Sequence, residues 1–283
     1  MQSKIFSVNK TLNVCGRLLD LSQPKVMGIL NVTPDSFYDG NKFKDDRAIL
    51  AHVEKMLTEG ADFIDVGGYS TRPGAEEISI DEELKRTIPA VKLIAKNFPE
   101  SLISVDTFRS SVAKEAVDAG AIMVNDISGG ALDEKMFSTV ASLNVPYVLM
   151  HIRGTPQTMT KETNYDNLIK DIIDYFHFKV FQLQNLGVKD IIIDPGFGFA
   201  KTAEQNFELL NKLDYFQILG RPILAGLSRK SMIWRTLNSD PEGALNGTTA
   251  LNSIALMRGA SILRVHDVRE AKETVLLMQK ISN

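Results

Sequence analysis

Eight short apolar runs in this 283-residue chain each lead to a side chain able to bind or react: Asn31, Asp65, Asp106, Asn125, His151, Asp194, Ser228 with Lys230, and Arg264 with His266. Any one of these has an ordinary reading, because Asp and Asn cap helices and start turns. Eight of them in step with eight runs do not reduce to caps. The cations come late: Arg229 and Lys230 follow the seventh run, and Arg264 with His266 ends the eighth. Positive charge gathered in two neighbouring loops suits a phosphorylated substrate. The ordinary reading of Arg264 is an ion pair with Asp267. His151 and His266 beside carboxylates raise the question of a transition metal. However, His52 and His177 fall in helical stretches, no H-E-x-x-H is present, and the single cysteine, Cys15, cannot build a thiolate site. A hard cation such as magnesium, held by one or two oxygens and a substrate phosphate, fits what remains. Neither glycine-rich phosphate motif occurs, and Gly196-Phe197-Gly198-Phe199-Ala200-Lys201 matches neither pattern.

The runs that must position these groups are Lys25–Leu30, Asp62–Val66, Leu102–Val105, Ala121–Val124, Pro146–Met150, Asp190–Ile193, Pro222–Ala225 and Ser261–Val265. They are apolar and often β-branched without alternation, as strands buried on both faces of a parallel sheet must be. Between them lie helix-like stretches: Asp46–Glu59, Ile80–Asn97, Ser110–Ala119, Asp166–Leu186 and Gly243–Arg258. Serine or acidic starts and glycine stops supply their caps. Eight strand-helix units predict an α/β fold, a (β/α)8 TIM barrel, over an open doubly wound sheet, and a barrel of about 250 residues accounts for the length. One domain over 1–283 is expected, with an N-terminal extension in 1–20. There Lys4–Val8 and Thr11–Val14 flank Asn9-Lys10 and predict a hairpin closing the bottom of the barrel. Chemistry then belongs at the C-terminal mouth, where the polar residues gather.

Composition excludes several classes. With 44% apolar and 24% charged residues the chain is neither disordered nor fibrous. The 32 Lys and Arg against 35 Asp and Glu leave a net charge of −3, without the clustered cations of a nucleic-acid or membrane surface. No long apolar span or signal peptide is read, and one cysteine suits a reducing compartment, so a cytoplasmic location is expected.

Two loops are rich in turn residues and read as lids that exclude water: Asn31–Gly40, which carries Phe37 and Tyr38, and Gly67–Gly74, which carries Arg72. These segments also carry a resemblance. Met27–Phe37, Asp65–Gly68, Ser70–Gly74, Ser104–Thr107, Val124–Gly130, His151 with Gly154–Pro156, Asp194–Phe199, Ser228–Ser231 and Arg264–Asp267 resemble the dihydropteroate synthases, a pterin-binding family. The match spans nearly the whole chain in order. It departs at Tyr69, where Glu is usual, at Ala200, where Gly is usual, and at Tyr38 and Asn41, where small residues are common.

The resemblance implies transfer of a pterin-methyl group from its pyrophosphate ester to the amine of 4-aminobenzoate. The reaction would be strongly dissociative, with pyrophosphate leaving before attack. It assigns Asp106, Asn125, Ile127, Met150, Asp194, Gly226 and Lys230 to the pterin, with Asp194 accepting paired N–H bonds and Lys230 favouring its ionised form. It assigns Asn31, Arg72, Arg264 and His266 to the pyrophosphate, with Asn31 also a ligand of Mg2+. Thr71, Pro73, Phe199 and Ser228 would surround the aminobenzoate. The residues expected to act in catalysis are Asp35, Phe37, Arg72, Lys230, Arg264 and His266. Small-molecule substrates and a second copy of the chain are the expected partners, with no nucleic acid or membrane.

Three rival readings remain. A pterin-dependent methyltransferase shares the pocket but needs neither the cationic corner nor the lids. A Schiff-base aldolase would use Lys230 as nucleophile. A barrel that only binds or scaffolds would not need the full polar set.

Overall fold

A computed structural model describes residues 8–14, 16–33, 42–70 and 77–282. Eight parallel strands form its centre: β3 (Lys25–Asn31), β4 (Phe63–Gly67), β5 (Leu102–Asp106), β6 (Met123–Asp126), β7 (Tyr147–Met150), β8 (Ile191–Asp194), β9 (Leu224–Ala225) and β10 (Ile262–Val265). Each pairs with the next in chain order from β3 to β8, and β10 pairs with both β3 and β9. A parallel bridge between Ile193 and Ile223 joins the two remaining edges, closing the expected (β/α)8 barrel.

The helices are α1 (Lys42–Thr58), α2 (Ile80–Asn97), α3 (Ser110–Asp118), α4 (Met136–Leu143), α5 (Leu168–Asn185), α6 (Ala203–Asn211), α7 (Ser231–Thr236), α8 (Leu245–Met257) and α9 (Val268–Ser282). Local chemistry starts them. Ser79 Oγ accepts the Glu82 N–H at the head of α2, whose first turn holds Asp81, Glu82 and Glu83. At α6 Thr202 and Gln205 bond each other's backbone in a capping box.

Alternation along the strands divides the interior into two cores. Outward residues such as Ile64, Val66, Ile103, Val105, Val124, Leu149, Ile191 and Leu263 join Val53, Val91, Ile94, Phe176 and Val268 of the helices. Each such buried side chain contributes roughly 1.5–3 kcal/mol. Inward residues Met27, Phe63, Met123, Val148, Ile192, Leu224 and Ile262 form a separate apolar floor, into which Leu12 and Val14 pack from below.

The described hairpin that supplies this plug joins Thr11–Val14 (β1) antiparallel to Arg17–Asp20 (β2), the segment that follows it. Gly16, at φ 83, supplies the left-handed conformation that the tight turn needs. Asn9 anchors the approach, its N–H bonding Gly220 O and its side chain accepting from Thr11 N–H. The other expected strand residues, 4–7, lie outside the described residues.

Candidate active site

Two residues above the apolar floor the inner face turns polar. Asp65, Ser104, Asn125, Met150, Asp194 and Arg264 share its middle level, and Asn31, Asp106 and His266 stand near the rim. Asp65 lies mid-strand in β4, not at a strand end as its run suggested.

Arg264 ties the two levels together. Its Nε donates to Asp65 Oδ2 at 2.6 Å and its Nη2 to Asp106 Oδ2 at 2.5 Å. The Arg264–Asp267 pair does not form; Asp267 receives Arg229 instead, Nε at 3.1 Å and Nη2 at 2.7 Å. Burial disfavours the Arg264 charge, but the Asp65 and Asp106 carboxylates outweigh it and hold the guanidinium firmly protonated. Burial pushes the Asp106 carboxyl up against the pull of Arg264, and the Asp65 charge adds to the rise. Asn125 donates through Nδ2 to the same Asp65 oxygen at 2.9 Å.

Across the barrel, Asp194 Oδ1 accepts the Gly196 N–H at 2.8 Å. Burial pushes this carboxyl up as well, opposed first by that N–H and then by the Lys230 charge. Lys230 lies with its Nζ 4.4 Å from the Phe199 ring centre, a cation–π placement. Gly198, at φ 80, makes room, since a Cβ there would come within 3.1 Å of Lys230 Cδ. Burial and Arg264 push the Lys230 ammonium down to about 8. Gly226 keeps the wall open beside Asp194, whose Oδ2 would stand 4.0 Å from any Cβ added there. Ile127, Met150 and Phe199 join Ile152, Met159 and Ala200 in a small apolar cluster above the polar level.

Ser228 and His266 meet at the rim, Oγ to Nδ1 3.0 Å. Burial, then Arg264 and Arg229, push the imidazole down to about 4, so near neutral pH it is an uncharged hydrogen-bonding group. The cationic corner read from four residues is therefore smaller. Arg229 is paired outward, His266 is neutral, and Arg264 shares two carboxylates. Asn31 ends β3, and among the described residues no hydrogen bond engages its carboxamide. Nor, among these residues, do three His, Cys, Asp or Glu side chains gather as a metal cage. One neutral oxygen at a rim suits magnesium that brings its remaining ligands with it.

The structure does not bring every strand-end residue to the mouth. His151 turns outward onto α5, its ring centre 4.9 Å from that of Tyr175. Asp35, Phe37, Tyr38, Asn41, Thr71, Arg72 and Pro73 lie outside the described residues.

Two residues with no assigned task belong to the architecture. Asp65 is one. Lys201 is the other: it is buried, and its Nζ donates to Gly196 O at 3.0 Å and Phe199 O at 2.9 Å, 3.1 Å from His151 Nδ1. It thus pins the loop that carries both the Asp194 contact and the Phe199 ring. The departures from the family pattern are accommodated locally. Tyr69 is buried edge-on against Phe108, 5.1 Å between centres, and its hydroxyl accepts from Gln157 Nε2 at 3.2 Å. Ala200 adopts φ 50, held there by the Tyr165 hydroxyl donating to its carbonyl at 2.9 Å.

The family described as pterin binding enzyme matches residues 27–266. The chain is 43% identical over 270 residues to the dihydropteroate synthase of Escherichia coli, covering 93% of this chain and 94% of that one. The solved Yersinia pestis dihydropteroate synthase with a sulfonamide drug superposes with a TM-score of 0.89 at 40% identity, covering 96% of this chain and 99% of the other. The Xanthomonas albilineans enzyme in complex with 7,8-dihydropteroate gives a TM-score of 0.86 at 37% identity, covering 96% and 98%.

Proposed function

Because this chain belongs to the dihydropteroate synthase family of pterin-binding enzymes, we propose that it joins 6-hydroxymethyl-7,8-dihydropterin pyrophosphate to 4-aminobenzoate, giving 7,8-dihydropteroate and pyrophosphate. The observation that carries this reading is the convergence of Asp106, Asn125, Asp194, Lys230, Arg264 and His266 on one barrel mouth. Acceptors line one side, as a ring edge of N–H donors requires, and the cations stand where negative charge would develop.

In this proposal Asp194 accepts paired N–H bonds from the pterin, with Asn125 and Asp106 completing the rim and Lys230 favouring the ionised form of Asp194. Ile127 and Met150 cover the ring, and Gly226 leaves it room. The methylene C–O bond breaks and its electron pair leaves with pyrophosphate, toward Arg264 and the neutral His266. The aminobenzoate nitrogen then attacks the cationic methylene carbon and loses a proton to solvent. An arylamine needs no dedicated base. Phe199 and Ser228 would border that ring, together with Thr71 and Pro73. Asp35, Phe37 and Arg72 would exclude water, which competes for the cation. Asn31 would be the protein's ligand to magnesium, which when bound would supply positive charge to offset that of the leaving pyrophosphate.

A homodimer is proposed as the working form. Met257 on α8 and Leu276, Leu277 and Ile281 on α9 are exposed and give it an apolar face. A cytoplasmic location is proposed alongside it; no helix among the described residues is long and apolar enough to cross a membrane.

The test is turnover by purified protein with magnesium and both substrates, followed as dihydropteroate formed. Product above background is expected, with loss on chelation and recovery on adding magnesium. Binding of both substrates without product would overturn the assignment.

A further inference from the structure

Asp65 takes no part in the steps above, yet its side chain is wholly buried and its geometry constrains two groups that do. One oxygen, Oδ2, accepts from both Arg264 Nε at 2.6 Å and Asn125 Nδ2 at 2.9 Å. The other, Oδ1, is buried without a hydrogen-bond partner, as is Ser104 Oγ on the adjoining strand position. A buried carboxylate with one oxygen unsatisfied is costly to keep for stability alone.

What it does follows from donor–acceptor logic. A guanidinium N–H can only donate, so the Asp65 oxygen that faces Arg264 Nε is an acceptor for its other neighbour as well. Asn125 must therefore turn its NH2 group toward Asp65, which leaves the carboxamide oxygen on the opposite side. Among the described residues that oxygen has no hydrogen-bond partner. A hydroxyl at position 65 can donate as well as accept and would leave the carboxamide free to turn, whereas an amide would still have to present its oxygen to Arg264 Nε and so to Asn125. Asp65 makes one orientation the only stable one.

We propose that Asp65 is a positioning residue: by accepting from Asn125 and Arg264 at one oxygen, it fixes the Asn125 carbonyl toward the ligand and makes the pocket select rings that offer an N–H donor there. The inference rests on the pterin reading of this site. Asp65 itself touches no substrate.

The experiment measures the dissociation constant of the dihydropterin pyrophosphate by calorimetry, and steady-state kinetics, for wild type, Asp65→Asn and Asp65→Ser. Asp65→Asn must turn its amide oxygen to Arg264 Nε, so that oxygen still accepts from Asn125 and most of the pterin affinity should be retained. Asp65→Ser leaves the carboxamide of Asn125 free to turn, and pterin affinity should fall roughly 10- to 100-fold, with the KM for 4-aminobenzoate unchanged. Normal binding by Asp65→Ser, or a loss in Asp65→Asn as large as in Asp65→Ser, would overturn the proposal. If Asp65→Ser does not fold, wild type decides. The side-chain amide of Asn125, followed by 15N NMR, should stay protected from exchange on adding pterin, whereas loss of that protection overturns the inference. Absence of pterin binding by wild type would remove the functional reading as well; tight wild-type binding with an indifferent Asp65→Ser removes only this inference.

Discussion

Ser228 Oγ accepts the backbone N–H of His266 at 3.1 Å and lies 3.0 Å from Nδ1 of the same ring. The hydroxyl hydrogen has no other acceptor among the described residues, so it points at Nδ1, and the ring proton sits on Nε2. His266 is thereby presented as a neutral donor. Imidazole NMR should show the Nε2–H form and no titration between about pH 6 and 8, where an ordinary histidine changes charge. Its folded value, about 4, lies below the unfolded one. The unfolded chain therefore takes up the proton first, and this group's stabilising contribution declines as pH falls from about 6.5 toward 4. A midpoint near the ordinary value, or a ring unchanged in Ser228→Ala, would contradict this arrangement.

Lys230 gives the opposite limb. With its ammonium held down to about 8, it loses charge just above neutrality. The pterin kcat/KM should fall above about pH 8, since that parameter reports the free enzyme. Lys230→Arg, which keeps its charge, should carry the limb out of the accessible range even if it lowers the plateau. A limb that stays in place in that variant assigns it to another group.

Lys201 should matter to stability before it matters to rate. Lys201→Met keeps most of the buried stem but leaves the Gly196 and Phe199 carbonyls and His151 without their partner. A loss of about 3 kcal/mol is expected by urea denaturation. An unchanged midpoint would show that the loop holds itself.

The floor and the mouth should separate under mutation. Leu12→Ala removes a fully buried plug residue and should cost about 3 kcal/mol of unfolding free energy, with kcat/KM at 25 °C unchanged. Lowered activity in protein that remains folded would mean that the two ends communicate.

All eight barrel strands were legible because their outer faces had to be apolar against helices and their floors apolar against one another, leaving little alternation to confuse the pattern. The polar rim was legible for the same reason, as the place where that pattern breaks. Other features leave little local signal. The turn between β1 and β2 rests on Gly16 at a positive φ, a single residue that gives no pattern to read. Helices α4 and α7 have 8 and 6 residues, too few turns for a periodicity to stand out. Asp65 was visible as a residue but not as a tie between Arg264 and Asn125, since both partners come from other strands. Lys201 sits in a glycine-rich stretch that matches neither phosphate pattern, and its fold back onto the Gly196 and Phe199 carbonyls leaves no signal in the sequence.

The tie between Arg264 and Asp65 also bears on how the molecule assembles. The two residues stand 199 positions apart and meet only when β10 lies against β3 and the ring is complete. A chain lacking its last unit would carry Asp65 inside without its guanidinium, and an orphaned buried charge of that kind costs about 3–5 kcal/mol. Partial barrels are thus penalised at the very place where the finished one works. The arrival of the final strand then both completes the pocket and makes folding of the whole ring cooperative.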